Sequence, residues 1–148
     1  MEIYQNIFQV STFPCFLLEP REGQFLIRDV NVAYVDAQAK KYQKLTGMSI
    51  PEVFQENPEH LGTSWETIHN SLNKAFLSGQ PDTIEILRYD LMNYEIAEFE
   101  ETYWQIENIP IKNATCGTVT LILFIARDKT LEVLKKMKNA FPSKEQEV

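Results

Sequence analysis

The sequence is poor in the residues from which metal sites, disulfide frameworks and catalytic centres are usually built. It has two cysteines and two histidines among 148 residues. Two cysteines cannot make a disulfide scaffold, and we interpret Cys15 and Cys116 as reduced thiols inside apolar or strand-like segments. The glycine-rich phosphate loops, the nucleophile elbow of hydrolases and the zinc-protease helix motif are also missing. We therefore expect neither an enzyme nor a metal centre.

The sequence also lacks a segment that would take the chain into or across a membrane. The first basic residue is Arg21, so no basic region precedes an apolar stretch as it does in a secretory signal. The longest unbroken apolar run is 121–126, which is far shorter than a membrane span. Together with the reduced cysteines, these absences predict a cytoplasmic protein without membrane insertion.

Positive charge is in deficit as well. The 14 Lys and Arg residues are outnumbered by 21 Asp and Glu residues, which leaves a formal charge of −7. An acidic chain repels phosphate backbones, so general nucleic-acid binding is not expected. The composition, with 44% hydrophobic and 24% charged residues, is that of a globular protein. A compact chain of this length buries roughly 70% of its unfolded surface, which is enough for one domain with a real core.

What the sequence does contain is a change of hydrophobic period from helix to strand. From Trp65, apolar residues recur at i, i+3, i+7, i+10 and i+11, which predicts a helix over 64–78. Five β-rich runs bounded by turn residues lie before and after this helix. These predicted strands are 13–18, 25–30, 83–91, 99–111 and 118–126. Short helices between the second strand and the long helix complete an α+β domain, in which helices pack on one face of a five-stranded antiparallel sheet.

Amphipathic helices flank the predicted domain, so we divide the chain into 1–12, 13–130 and 131–148. The first is an N-terminal helix, the second is the domain, and the third is a C-terminal exit helix with a frayed tail. One face of the N-terminal helix consists of Ile3, Ile7, Phe8 and Val10. A helix this short is not stable alone, so it packs on its own sheet or on a second chain. Because the exit helix also has an apolar edge, we expect a homodimer in which the N-terminal face contributes most of the contact.

A cavity is expected between the long helix and the sheet. Trp104 is in step with Ile106 along its strand, and a tryptophan there is either a core residue or part of a ligand cavity. The candidate cavity residues are Tyr34, Trp65, His69, Leu72, Phe76, Trp104, Ile106 and Phe124. The aromatic members of this set could instead fill the cavity with their own rings.

His69 lies on the same side of the long helix as Trp65 and Leu72. A neutral imidazole in an apolar setting can serve as an axial ligand of haem. The simpler interpretation is a histidine at the edge of the core that is hydrogen-bonded to backbone or water. We favour the simpler interpretation and expect no haem.

Several strings in the chain, taken in order, resemble those of a PAS sensory domain from about Phe13 to Thr130. They include Asp29-Val30-Asn31-x-Ala33-Tyr34, Phe54-Gln55-Glu56-Asn57-Pro58, Arg88-Tyr89-Asp90 and the closing Asp128-Lys129-Thr130. The resemblance is to a bacterial signal-transduction type found at the front of sensor histidine kinases. It implies a five-stranded antiparallel sheet, no catalysis by the domain itself, and a signal that leaves through Asp128 and Thr130.

The chain departs from the PAS pattern at three points. Lys129 stands where the D-x-T string usually has an apolar residue, and the hairpin at 92–98 lacks the usual glycine. No cysteine occupies the string of flavin-photoadduct domains, so a flavin is not expected either.

We predict a sensory module that binds a small molecule or a partner. It would relay a conformational signal to an output domain such as the histidine kinase of a two-component system. The alternative is a ligand-free dimerisation module.

Overall fold

The computed structural model describes residues 13–31, 45–60 and 64–140. Within these ranges the chain alternates between strands and helices. In order they are β1 (Cys15–Arg21), β2 (Gln24–Val30), α1 (Ile50–Val53), a 3₁₀ turn (Pro58–His60), α2 (Ser64–Ser78), β3 (Asp82–Arg88), β4 (Leu91–Asn93), β5 (Glu98–Glu100), β6 (Tyr103–Lys112), β7 (Val119–Asp128) and α3 (Thr130–Ala140). No described helix has the length and apolar character needed to cross a membrane.

Five of the strands form one antiparallel sheet in the order β2-β1-β7-β6-β3. The α+β class and the five-stranded antiparallel sheet predicted from the sequence are therefore confirmed. β7 is the central strand, as its apolar character on both faces indicates. Its even-numbered residues Ile122, Phe124 and Ala126 are buried, which fixes the face that the sequence pattern left undecided.

The prediction of two long strands at 83–91 and 99–111 was wrong in one respect, because each is interrupted. At 89–90 and 101–102 the chain leaves the five-stranded sheet, and 91–93 and 98–100 then pair with each other as the separate hairpin β4-β5. Tyr89 donates its backbone N–H to the carbonyl of Thr102 at 3.0 Å across the interruption. We attribute the break to hydrogen bonds that residues distant in the sequence make to Asp90. The alternation of apolar and polar residues in the local sequence therefore does not indicate it.

Two prolines lie inside strands at places where the pairing with one neighbouring strand has already ended. Pro20 of β1 lies beyond Leu18, the last residue of β1 that pairs with β7. Pro110 of β6 lies beyond Asn108, the last residue of β6 that pairs with β3. Proline has no N–H for a ladder, so it fits only where one side of the strand is unpaired. This explains why β1 continues to Arg21 when the sequence predicts an end at 18.

The core forms where α2 crosses the sheet. Ile68, Leu72 and Ala75 are buried at helical spacing, as the sequence period predicts. They face a set of sheet residues that are each almost fully inaccessible. This set comprises Phe16, Leu18, Ile27, Ile106, Ile122 and Phe124. Trp65 and Phe76, at the two ends of the predicted stripe, are only partly buried and pack against this cluster.

Several sequence predictions fall outside the described residues. They concern Tyr34, the N-terminal helix with Ile3, Ile7, Phe8 and Val10, and the tail from 141 onward. The exit helix is described as α3, and Leu131, Leu134 and Met137 on it are 85%, 40% and 48% exposed.

The β4-β5 hairpin replaces its missing glycine with Ala97, whose φ of +55° is in the left-handed region. Asn93 stabilises the turn because its Oδ1 accepts from the backbone N–H of Glu95 at 3.0 Å. A residue with a Cβ raises the free energy of the folded chain by about 1–2 kcal/mol in this conformation. Glycine avoids this cost, but it loses more conformational freedom on folding, so its net gain is smaller.

We expect Ala97→Gly to raise the free energy of unfolding by about 0.5–1 kcal/mol. Ala114 is the matched control, because it lies in the β6-β7 turn and does not have a positive φ. Ala114→Gly should therefore give no gain. Urea denaturation of both variants measures the difference, and a loss of stability in Ala97→Gly would contradict the expectation.

Candidate functional site

An apolar cavity lies between the helices and the end of the sheet at which β6 begins and β7 finishes. Its volume is about 60 Å³. The aromatic part of the lining is Phe16, Phe54, Tyr89, Trp104 and Phe124. The remaining side chains are Pro14, Ile50, Ile68, Leu91, Ile106 and Ala126.

The structure divides the candidate cavity residues into two groups. Trp104, Ile106 and Phe124 line the cavity together. Leu72 is fully buried in the core and does not line the cavity. Trp65, His69 and Phe76 are also on α2 and also lie outside the lining. The helix contributes Ile68 to the lining instead.

His69 belongs to an aromatic cluster at the edge of the core. Its ring centroid lies 5.7 Å from that of Phe25 and 5.7 Å from that of Trp65. Phe76 completes the cluster through an edge-on contact with Phe25. The Nδ1 atom of His69 is buried without a hydrogen-bond partner in the part of the chain that the structure describes.

Tyr89 and Phe54 form one wall of the cavity and were not among the cavity residues predicted from the sequence. The Tyr89 hydroxyl donates to the Phe54 carbonyl, and burial raises the pKa of Tyr89 well above its usual value. Thr102 donates its hydroxyl to the Tyr89 carbonyl. The Trp104 indole N–H lies 3.3 Å from that carbonyl and 3.1 Å from the Thr102 hydroxyl oxygen. Hydrogen bonds that link Tyr89 to Phe54, Thr102 and Trp104 therefore hold this wall together.

The string 54–58 holds this wall in place through separate bonds from its members. The Glu56 carboxylate accepts from the backbone N–H of Trp65 at 2.6 Å and so caps the start of α2. The Ser64 hydroxyl, at the first residue of α2, donates instead to the Arg88 carbonyl at 2.8 Å. Asn57 donates to the Asp90 carboxylate at 2.9 Å. The PAS resemblance singled out these strings, but no sequence pattern indicated the hydrogen bonds that they make.

Asp90 is the buried charge behind the wall, with 4% of its surface exposed. Arg88 contacts both of its oxygens, at 2.9 Å from Nε and 3.1 Å from Nη2. Burial alone would raise the pKa of Asp90. The hydrogen bonds from Arg88 and Asn57 and the positive charge of Arg88 outweigh burial and lower it. Asp90 is therefore a paired carboxylate at neutral pH.

The predicted exit of the signal lies directly beside the cavity. Trp104 pairs with Asp128 in the β6-β7 ladder. The Asp128 carboxylate accepts from the backbone N–H of Thr130 at 2.9 Å at the start of α3. The Thr130 hydroxyl in turn accepts from the backbone N–H of Tyr103 at 3.0 Å, and the Lys129 N–H donates to the Tyr103 carbonyl at 2.8 Å. These backbone bonds attach the exit to β6 although Lys129 departs from the PAS pattern.

The described residues also bear on cofactors. They contain no group of three His, Cys, Asp or Glu side chains that could hold a metal ion. A haem or a three-ring flavin is much larger than 60 Å³ and needs charged partners for its propionates or phosphate. This cavity therefore does not fit either group.

No protein-family model matches the sequence, and no curated protein matches it. Solved structures do match. The PAS domain of a protein from Colwellia psychrerythraea aligns with a TM-score of 0.61 at 14% identity, over 88% of this chain and 97% of that domain. A sensory box sensor histidine kinase from Vibrio cholerae aligns with a TM-score of 0.52 at 18% identity, over 86% of this chain and 89% of that one.

An RNA-binding light-oxygen-voltage receptor aligns with a TM-score of 0.60 at 13% identity. The match covers 94% of this chain and 37% of the receptor, so this chain spans little more than a third of the receptor's length. The chain has the fold shared by PAS and light-oxygen-voltage domains, and the resemblance identified in the sequence is confirmed for the fold.

We expect Asp90→Asn to lower the free energy of unfolding by about 2 kcal/mol near neutral pH, because a charge-assisted pair with Arg88 is lost. The pKa of Asp90 is lower in the folded chain than in the unfolded chain. The ionised Asp90 side chain therefore makes its full contribution to the free energy of unfolding above about pH 4, which is its pKa in the unfolded chain. This contribution is lost as the pH falls through the pKa of the folded chain. The difference between wild type and variant should be constant from about pH 5 to 7 and shrink in stronger acid.

Chemical denaturation across this pH range measures the difference. Asp29→Asn is the control, because Asp29 is exposed on β2 and should change stability little at any pH. A stability difference for Asp90→Asn that grows in acid would contradict the assignment.

Proposed function

We propose that this chain is a cytoplasmic sensory module in which an occupant of the cavity changes the connection to α3. The observation that supports this most directly is the short path between cavity and exit. Trp104 lines the cavity, its ladder partner Asp128 caps α3, and the preceding residue Tyr103 bonds to Lys129 and Thr130. A displacement of Trp104 would therefore act on the first turn of α3 without an intermediate element.

Signalling requires that the occupant binds one arrangement of the exit more tightly than another. A tenfold difference in affinity corresponds to about 1.4 kcal/mol, which is comparable to one or two hydrogen bonds. The bonds that Tyr103 makes to Lys129 and Thr130 are of this size. Loss or retention of these hydrogen bonds is therefore a suitable structural difference between two states of the module.

We also propose that two copies of this chain form a homodimer and that this dimer receives the signal. Leu131, Leu134 and Met137 leave an apolar edge exposed along α3, and such an edge is stabilised when a second helix covers it. The N-terminal face of Ile3, Ile7, Phe8 and Val10 is the second part of the proposed interface. We propose an output of the histidine-kinase type, because the neighbour from Vibrio cholerae is described as a sensor histidine kinase. The domain itself has no proposed catalytic role.

The alternative function is a ligand-free interaction module of the same fold. The small volume of the cavity favours it, because the space left between the lining side chains is only about 60 Å³. Native mass spectrometry of freshly purified protein distinguishes the two. A co-purifying small molecule supports the sensory function, whereas a bare chain favours the interaction module.

We expect Thr130→Ala to weaken the attachment of α3 to β6 while leaving the core intact. The variant loses the acceptor for the Tyr103 N–H, worth about 1 kcal/mol. Hydrogen exchange in the first turn of α3 should therefore become about five- to tenfold faster. Thr130→Ser keeps the hydroxyl and should restore slow exchange.

Thr83→Ala is the surface control for this experiment, because Thr83 is exposed on β3. Its exchange in α3 should match that of the wild type. Unchanged exchange in Thr130→Ala would show that this bond does not hold the exit.

We expect Leu134→Glu to convert a dimer of the full chain to monomer, because a charge on the apolar edge is costly to bury. Asn139→Glu adds the same charge to α3 well away from this edge and should leave the dimer intact. Sedimentation velocity at tens of micromolar measures both. A monomeric wild type, or equal effects of the two variants, would contradict the proposed interface.

A further inference from the structure

The side-chain N–H and O–H donors of the described cavity lining are all engaged within the protein. Among the described lining residues, only Tyr89 and Trp104 have side chains that form hydrogen bonds. The Tyr89 hydroxyl donates to Phe54, and the Trp104 indole N–H donates to the Tyr89 carbonyl and the Thr102 hydroxyl. No charged side chain lies in this lining. Among the described lining residues, an occupant therefore finds no free side-chain donor and no charged partner.

The buried polar atoms that lack a partner lie elsewhere in the described structure. They are Nδ1 of His69 and Oδ1 of Asn108, and neither residue lines the cavity. Tyr89 is also held protonated, since burial raises its pKa. The described lining consequently presents no free side-chain donor for a polar acceptor, and water, which needs two or more partners, is poorly held by these residues.

We infer that the cavity takes an uncharged, apolar molecule of a few heavy atoms, such as a short branched hydrocarbon. This inference rests on the proposed sensory function and specifies its ligand. The size limit comes from the volume of about 60 Å³, which is less than half of the roughly 150 Å³ of an apolar cavity that holds benzene. The chemical class comes from the described lining, because burial of apolar surface is the main favourable contribution that these residues offer.

Three molecules of one shape separate polarity from size. Isobutene, acetone and acetate each have four heavy atoms in a planar Y, and they differ in having no polar atom, one acceptor, or a full charge. A buried acceptor without a partner weakens binding by about tenfold or more, and a buried charge weakens it further. The inferred order of affinity is therefore isobutene, then acetone, then acetate.

The two tryptophans provide the measurement within one protein. Trp104 lines the cavity, whereas Trp65 lies outside the lining and serves as an internal reference. In a nitrogen–proton NMR titration of the full chain, isobutene should shift the Trp104 indole N–H in a saturable way and leave that of Trp65 unchanged. Acetone should require at least about tenfold higher concentration, and acetate should give no saturable shift.

Ala126→Val tests the location, because the added methyl groups fill space at the cavity wall. Isobutene should bind this variant at least about tenfold more weakly. Ala114→Val adds the same volume at the exposed β6-β7 turn and should bind isobutene like the wild type. The spectrum of each variant shows whether it is folded. If Ala126→Val does not fold, Ile106→Val enlarges the cavity instead and should tighten isobutene binding, with Ile109→Val on the opposite face of β6 as its control.

The outcomes separate the ligand class from the sensory function. Saturable binding of acetate or acetone at or below the isobutene concentration overturns the inferred class while leaving the sensory function in place. No saturable shift with any of the three overturns the inference. Isobutene binding with the predicted order supports it. Hydrogen exchange in α3 that stays the same when isobutene is bound would then count against the relay, not against the ligand class.

Discussion

The arrangement of this domain depends on one buried carboxylate that must be paired. A charge as inaccessible as that of Asp90 is tolerated only with a partner, and Arg88 and Asn57 are those partners. The bond from Asn57 brings the 54–58 segment against the end of β3. That contact sets Phe54 opposite Tyr89, whose hydroxyl closes the wall of the cavity. A polar constraint therefore shapes a space that is itself apolar.

The same constraint diverts the backbone. Because Asp90 is fixed behind the wall, β3 cannot continue straight into β4, and Tyr89 and Thr102 bridge the interruption. β6 begins just after it, with Trp104 facing the cavity and Tyr103 attached to the exit. Cavity and exit are neighbours because both are built on the residues where the long strand restarts.

Much of the fold could be predicted because it follows from hydrophobic period. The helix at Ser64–Ser78, the hairpin before it and the central position of β7 each have a local pattern that packing reinforces. The interruption at 89–90 has no such pattern, since it is decided by bonds from Asn57, more than thirty residues away. Sequence period also could not choose between the two apolar faces of β7.

The cavity could be predicted only in part for a related reason. Trp104 and Ile106 are two residues apart on β6 and so share a strand face, and both line the cavity. On α2 the period identified the buried face but not the point along the helix at which space remains, and that point is near Ile68. Phe54 and Tyr89 lie between regular elements, where no period applies, and only the family resemblance drew notice to their strings.

The two prolines of the sheet have a consequence for the behaviour of the protein in crowded solution. Each lies just past the last pair that β1 makes with β7 or that β6 makes with β3, and among the described residues no strand pairs with that side of the backbone there. An open backbone edge recruits strands from other molecules, and a residue without an N–H interrupts the row of donors that such recruitment needs. Pro20 and Pro110 thus protect the sheet from growing by aggregation at the two places where its own ladder stops short.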